Sequence, residues 1–161
     1  MKAASINELK QELITLPPKK VLELCLRLAR FKKENKELLS YLLFEAHDEQ
    51  SYVDNIKKEI NDQFWNLPRN NMYIIKKGLR KILRSILKYS KHTNNKESEV
   101  EMLIHFCVNM NNSGINFRNN KTLFNLYSHQ LKKLNLLVEQ VHEDLKFDYK
   151  KQLTQLSEGL F

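Results

Sequence analysis

Residues 74–91, IIKKGLRKILRSILKYSK, carry a helical pattern with two different faces. Aliphatic side chains recur at steps of three and four residues, which places them on one side of an α-helix. Cations recur at the same steps on the other side, and the stretch holds seven lysines and arginines but no carboxylate. At 1.5 Å of rise per residue, the pattern predicts an amphipathic helix with a row of cations about 20 Å long. This basic stripe consists of Lys77, Arg80, Lys81, Arg84, Lys88 and Lys91, opposite Ile75, Leu79, Ile82, Leu83 and Ile86.

The same helical rhythm runs through almost the whole chain, and no segment alternates strictly between apolar and polar residues. We therefore predict an all-α fold with more than about 70% helix and no sheet, against the ~30–35% helix of an average domain. Ser5 with Glu8 forms a predicted capping box, and Ser51 with Asp54 forms a second one. The pattern indicates about seven helices, near residues 5–15, 18–33, 36–49, 51–65, 70–92, 96–111 and 123–156. The last of them is either continuous or bent near residues 144–148.

Length and composition indicate an ordinary globular chain. Its 161 residues, 42% hydrophobic and 29% charged, suit a single all-helical domain over residues 1–161. The first residues lack the apolar core of a signal peptide, and no apolar run reaches the ~18 residues of a membrane span, so we predict a cytoplasmic location. Cys25 and Cys107 lie inside apolar helical patterns, which predicts two small buried side chains without a disulfide.

Two segments of the sequence, residues 30–44 and 88–106, resemble each other. Each reads as a helix end, a basic turn, an Asn-Lys-Glu triplet and an apolar helix, and the triplets begin at Asn35 and Asn95. The echo predicts two copies of an antiparallel hairpin, stacked as a short α-solenoid of the HEAT or armadillo kind. A fortuitous match within an irregular helical bundle is the alternative. If the copies are equivalent, Asn35 and Asn95 should lie at matching positions of their turns.

Three stretches carry a family likeness: LPPKKVLELCLRLARFKKENKELLSYLLFEAHDE at 16–49, KKGLRKILRSILKYSK at 76–91 and EMLIHFCVNM at 101–110. In type and order they resemble a family of uncharacterised bacterial all-helical proteins, known as a domain of unknown function. The resemblance implies an all-helical, repeat-like fold with HEAT or armadillo character. It implies no activity and no site residues.

The charge of the chain is concentrated in and beside the basic stripe. No acidic residue lies between Asp62 and Glu97, whereas that interval holds nine cations, so its excess equals the net charge of +8 to within one unit. Such a surface would attract phosphates without regard to base sequence. The alternative is a solvated helix face whose last cations, Lys88, Lys91 and His92, complement the negative end of the helix dipole. A membrane-surface role is weaker, because the apolar side is aliphatic and better explained as core.

Catalytic and metal-binding patterns are sparse, and we expect neither a metal nor a cofactor. The five histidines form no zinc spacing, and the three glycines build no phosphate-binding loop. Glu139 with His142, and Glu101 with His105, resemble half of a bundle di-metal site, but the second half is missing, so ordinary surface residues are the favoured interpretation. Six aromatic residues are predicted to pack in the core or in grooves: Tyr41, Phe44, Phe64, Trp65, Tyr73 and Tyr89.

These patterns favour a non-enzymatic helical interaction module, a scaffold or adaptor whose partner is another protein. The alternative is binding of a nucleic-acid phosphate backbone through helix 74–91. An enzyme would require a pocket in which Glu101, His105, Glu139 and His142 converge. The stripe can grip phosphates only if it is exposed and not already paired with carboxylates of neighbouring helices, because counterions must be available for release.

Overall fold

The computed structural model describes residues 2–158, and this part of the chain is all-helical. Helices make up 81% of it, and it contains no strand, so the all-α prediction is confirmed. None of its helices combines the length and the apolar character that a membrane crossing needs. The helices are Ile6–Thr15 (α1), Pro18–Phe31 (α2), Lys33–Ser40 (α3), Glu49–Trp65 (α4), Met72–Thr93 (α5), Lys96–Asn112 (α6), Lys121–Val138 (α7) and Glu143–Glu158 (α8).

The chain divides into two compact units, one up to Glu45 and one from Ala46 onward. The first unit contains α1, α2, α3 and a π-helical turn at Tyr41–Glu45, and α2 packs against α3. The predicted capping box closes the start of α1, where the side chains and backbones of Ser5 and Glu8 bond reciprocally. Among the large apolar side chains described in this unit, only Tyr41 is buried. Most of the apolar surface of the first unit therefore faces solvent.

The second unit contains α4 to α8, and α6 is its central helix. Short connections make consecutive helices antiparallel, and α6 packs against α4, α5, α7 and α8. In addition, α4 packs against α5, and α7 packs against α8. This arrangement suits stacked hairpins as well as an irregular bundle. The eight buried side chains of α6 are Ser98, Val100, Met102, Leu103, Ile104, Phe106, Cys107 and Met110.

A buried hydroxyl links three helices of the second unit. The Tyr127 hydroxyl on α7 donates a hydrogen bond to the Leu156 carbonyl (3.0 Å) and accepts one from Asn111 Nδ2 (2.8 Å). Burial raises the pKa of Tyr127 to about 12, so the hydroxyl keeps the proton that it donates. Burial likewise raises the pKa of the Cys107 thiol to about 12, as expected for an inert core residue. Cys25 is exposed, so the prediction of burial was wrong for this residue, although both cysteines are free.

The predicted long helix 123–156 is two helices, which brings the total in the described residues to eight rather than about seven. The chain leaves α7 after Val138 and enters α8 at Glu143. Val141, within the turn, is buried, so the apolar spacing continues through the break. The spacing of apolar residues indicates which side chains are buried in a common core. One long helix and two shorter helices that share a core have the same spacing, so the pattern does not distinguish them.

The boundaries of α3 and α4 also differ from the predicted ones. α4 begins at Glu49 because the Asp48 side chain accepts a hydrogen bond from Ser51 N (3.1 Å), so Asp48, not Ser51, is its N-cap. α3 begins at Lys33 rather than near residue 36, since only Lys32 separates it from α2. It ends at Ser40 rather than near residue 49, because the chain continues as the π-helical turn Tyr41–Glu45.

The two Asn-Lys-Glu triplets lie at different positions of their turns. Asn35 is the third residue of α3, and its Nδ2 donates to the Leu28 carbonyl (2.9 Å). Asn95 is the N-cap of α6, and its side chain accepts from Glu97 N (2.9 Å). The connections differ in length, with one residue before α3 and two before α6, where Asn94 adopts a left-handed conformation (φ 49°). The prediction of matching turns was therefore wrong.

Candidate anion-binding surface

α5 is held in place by its apolar face, as predicted. The side chain of Asn71 caps the helix by accepting from Tyr73 N (2.9 Å) and Ile74 N (3.3 Å). Four aliphatic side chains are at most 3% exposed and anchor the helix in the second unit, whereas Leu83 is half-buried. The anchors are Ile75, Leu79, Ile82 and Ile86.

Five of the six residues of the basic stripe are exposed: Lys77, Arg80, Lys81, Arg84 and Lys91. Arg84 Nε donates to the Arg80 carbonyl (3.3 Å), which holds this guanidinium along the helix. Lys88 is different, because it is half-buried and its Nζ lies 4.8 Å from the centre of the Tyr89 ring. The structure thus brings Lys77, Arg80, Lys81 and Arg84 together on the surface of one helix.

Four carboxylates of the neighbouring helices form ion pairs with cations outside the stripe. Within residues 2–158, no ion pair joins a carboxylate to Lys77, Arg80, Lys81 or Arg84. These four cations therefore meet the geometric condition for binding phosphates. The observed pairs join Glu99 to Lys96 and Lys133, Glu101 to Lys57, Glu139 to Lys146 and Lys150, and Glu143 to Lys146.

One side of α5 borders a cleft of about 670 Å³ whose walls have opposite charges. Glu59 and Asp62 line it from α4, and Lys77 and Lys81 line it from α5. The carboxylates would repel a phosphate placed there, so this cleft is a poor anion site.

Gly78, at the same cleft, marks a close contact. A Cβ atom at Gly78 would overlap Leu67 Cδ2, so the absence of a side chain lets Leu67 pack against α5. This contact holds the segment between α4 and α5 against α5.

The other side of α5 borders a cleft of about 540 Å³ whose described charged residues are all cations. Of the described residues that line it, none carries a carboxylate. Four cations meet there beside one aromatic and one aliphatic side chain. The lining residues are Tyr73, Lys76, Lys77, Arg80, Leu83 and Arg84. This side of α5, called the open cleft below, is where the structure can best accept an anion.

Tyr73 is the aromatic residue of the open cleft. It was expected to pack in the core or in a groove, and it lines the open cleft, although its side chain is 73% exposed. The expectation was wrong for Trp65, which is exposed, and correct for Tyr41 and Phe64, which are buried. Phe44 is exposed but lines a groove between α2, α3 and the π-helical turn. The spacing contained the signal: positions 73, 77, 80 and 84 follow the helical repeat, which places Tyr73 in line with three stripe cations.

The residues considered for a metal or catalytic site lie in two separate places. Glu101 and His105 line a third cleft of about 410 Å³ between α4, α6 and α8, where Lys57 Nζ lies 2.6 Å from Glu101 Oε2. Glu139 and His142 lie at the turn between α7 and α8, and hydrogen bonding to Lys150 lowers the pKa of Glu139. In the part of the chain that the structure describes, no three His, Cys, Asp or Glu side chains are grouped to hold a metal ion.

His105 is expected to make the stability of the second unit depend on pH. Burial, aided by the nearby Lys57 charge, lowers the pKa of His105, and its Nε2 lies 2.7 Å from Asn61 Oδ1. A histidine whose pKa is lower in the folded state takes up its proton more readily when unfolded. The stability it contributes is present above its unfolded pKa of about 6.5 and is lost as the pH falls through the lower, folded value.

We therefore expect urea midpoints to fall between about pH 7 and pH 5, and His105→Gln to flatten this part of the profile. His129→Gln, at an exposed position, serves as the control and should leave the profile unchanged. Identical profiles for His105→Gln and the unmodified protein would contradict the assignment.

A groove of about 680 Å³ lies within the first unit, between α2, α3 and the π-helical turn. Apolar side chains form one part of its lining and four cations the other, although Lys33 also pairs with Glu37 at 3.8 Å. The apolar residues are Leu26, Ala29, Leu39, Leu43 and Phe44, and the cations are Arg30, Lys32, Lys33 and Lys36.

Comparison of the chain with protein-family models, curated proteins and solved structures found no match. The resemblance to the bacterial family of unknown function therefore stays a prediction. The all-α fold which that resemblance implies is observed in the structure itself. Function has to be inferred from the geometry of the surface.

Proposed function

We propose that this chain is a binding module rather than an enzyme, and that it holds the phosphate backbone of a nucleic acid along α5. The observation that supports this proposal is the row Lys77, Arg80, Lys81 and Arg84, exposed and without an ion pair in the described residues. A phosphate can approach these cations without breaking an internal salt bridge. Release of counterions from the nucleic acid then supplies the free energy of binding.

The distribution of charge around α5 favours one side for the backbone. The cleft that Lys81 lines has carboxylates on its opposite wall, whereas the described residues that line the open cleft are cations, Tyr73 and Leu83. We therefore place the phosphates on Lys77, Arg80 and Arg84, with Lys76 nearby. From Tyr73 to Arg84 the helix rises about 17 Å, enough for several phosphates of one strand.

A nucleic acid suits this surface better than an acidic protein does. The cations repeat along one straight helix, and a nucleic acid presents phosphates at equally regular intervals. The scaffold function predicted from the sequence would rest instead on the groove of the first unit, where apolar residues and cations lie together. That function, the protein partner and the cytoplasmic location stay predictions.

The salt dependence of binding tests the proposal. The probe is a fluorescein-labelled single strand of about 16 nucleotides, together with its duplex, measured by fluorescence anisotropy. With at least three phosphates contacted, we expect a log–log slope of about −2 or steeper and a loss of affinity of about 20-fold or more between ~50 and ~200 mM salt. An uncharged strand of the same sequence should not bind.

Two outcomes would contradict the proposal. If neither strand form binds at ~50 mM salt, where charges are least screened, α5 is a solvated face. If polyglutamate binds as tightly as the oligonucleotide, the surface recognises acidic protein and the function returns to the scaffold class.

A further inference from the structure

An exposed aromatic ring lies in line with the cations of the open cleft. Tyr73 precedes Lys77 by four residues and Arg80 by seven, so the three side chains share one side of α5. The phenol ring is 73% exposed and lies at the edge of the cleft. A large apolar ring in this position is not needed for contact with phosphates, which takes only cations and hydrogen-bond donors.

Further apolar surface lies along the same side of the helix. Leu83 lines the open cleft, and Leu87, seven residues after Arg80, is 43% exposed. Cations and apolar groups thus lie beside one another along this side of α5. This pairing of cations with a ring and aliphatic side chains matches a strand whose bases are unstacked, since such a strand presents both phosphates and apolar base faces.

A duplex could use only part of this surface. Its bases are stacked on one another, and reaching the ring would require a base to leave the stack at a cost of a few kcal/mol. A single strand can place a base on the ring without that cost, and stacking accepts any base because each has a π-face.

We infer that the open cleft binds single-stranded nucleic acid in preference to duplex, with one base stacked on Tyr73 and the adjoining phosphates on Lys77 and Arg80. This inference rests on the proposed function and adds the class of nucleic acid. It also assigns separate tasks to the side chains: the cations hold the backbone, and Tyr73 distinguishes the strand form.

The test compares Tyr73→Ala with Tyr73→Phe in the full chain, using a single strand of about 16 thymidines and a duplex of equal length. We expect Tyr73→Ala to weaken single-strand binding at least about 5-fold, the lower end of measured stacking contributions, and Tyr73→Phe to retain it. Duplex affinity should not change. The salt slope of Tyr73→Ala should also stay the same, because its phosphate contacts remain.

The controls separate this inference from the proposed function. Phe147→Ala removes an exposed ring from α8, outside the cleft, and should leave both affinities unchanged. Alanine is the better helix former, so Tyr73→Ala should fold, as circular dichroism will show. Single-strand affinity unaffected by Tyr73→Ala, or duplex binding as tight as single-strand binding, overturns the inference alone. Absence of binding to either form by the unmodified protein overturns the proposed function as well.

Discussion

Replacing Lys77, Arg80 and Arg84 together by Ala is expected to lower the affinity for a single strand on the order of 100-fold at ~0.1 M salt. Each phosphate contact contributes a log–log slope of about −0.7, so three contacts account for about two powers of ten at this salt concentration. The slope itself should become shallower by about 2. Fluorescence anisotropy titrations at several salt concentrations measure both quantities.

A matched variant removes the same charge from other places. Lys58, Lys121 and Lys132 are exposed residues on α4 and α7, and replacing all three by Ala changes the net charge equally. These cations lie outside the open cleft, so we expect this control to lose little affinity, because screening reduces the effect of distant charges. If the control loses as much as the α5 variant, binding depends on overall charge and not on the stripe.

Single substitutions on neighbouring residues test which side of α5 is used. Arg80 lines the open cleft, whereas Lys81 lines the cleft that Glu59 and Asp62 share. Arg80→Ala should therefore weaken binding more than Lys81→Ala does. The reverse order would place the backbone in the cleft with the carboxylates, contrary to the assignment.

Phe106→Ala should lower the free energy of unfolding of the second unit by about 3–5 kcal/mol, the usual cost of removing a buried ring. Phe106 has no exposed surface, and its ring centre lies 5.4 Å from that of Phe64 on α4. It is carried by α6, the central helix, so the cavity would be lined by rigid neighbours that cannot close it. Urea unfolding followed by circular dichroism measures the change, and the melting temperature should fall on the order of 10 °C.

The exposed Phe147 on α8 supplies the comparison. Phe147→Ala should change the free energy of unfolding by no more than ~0.5 kcal/mol, because its ring is 76% exposed. If the two variants lost equal stability, α6 would not be the centre of the core.

The sequence alone was enough to predict the two faces of α5. Ile75, Leu79, Ile82 and Ile86 are buried, and Lys77, Arg80 and Arg84 are exposed, as their spacing indicates. The capping box at Ser5 was predicted equally well. Both features depend on residues within a few turns of one helix, where the geometry is set by the local backbone.

Other local patterns were compatible with two different structures, and the sequence alone did not discriminate between them. Asp48 precedes Ser51 by three residues, and Ser51 precedes Asp54 by three, so either pair could cap α4. The apolar repeat through Val141 likewise suits one helix or two. In each case local energies are similar, and packing against the rest of the unit selects one arrangement.

The sequence by itself determined that the chain is helical and that its excess charge lies along one helix, because both follow from residue types and their spacing. Only the tertiary structure decided whether the cations Lys77, Arg80, Lys81 and Arg84 are exposed and free of ion pairs with carboxylates. Glu99, Glu101 and Glu139 could have paired with the stripe, but the packing of α4, α6, α7 and α8 places them beside Lys133, Lys57 and Lys150. The same helix packing leaves Tyr73 outside the core. A charged or aromatic side chain finds its partner on another helix according to the distance between segments that are far apart in the chain. The spacing of residues within one helix carries no information about that distance.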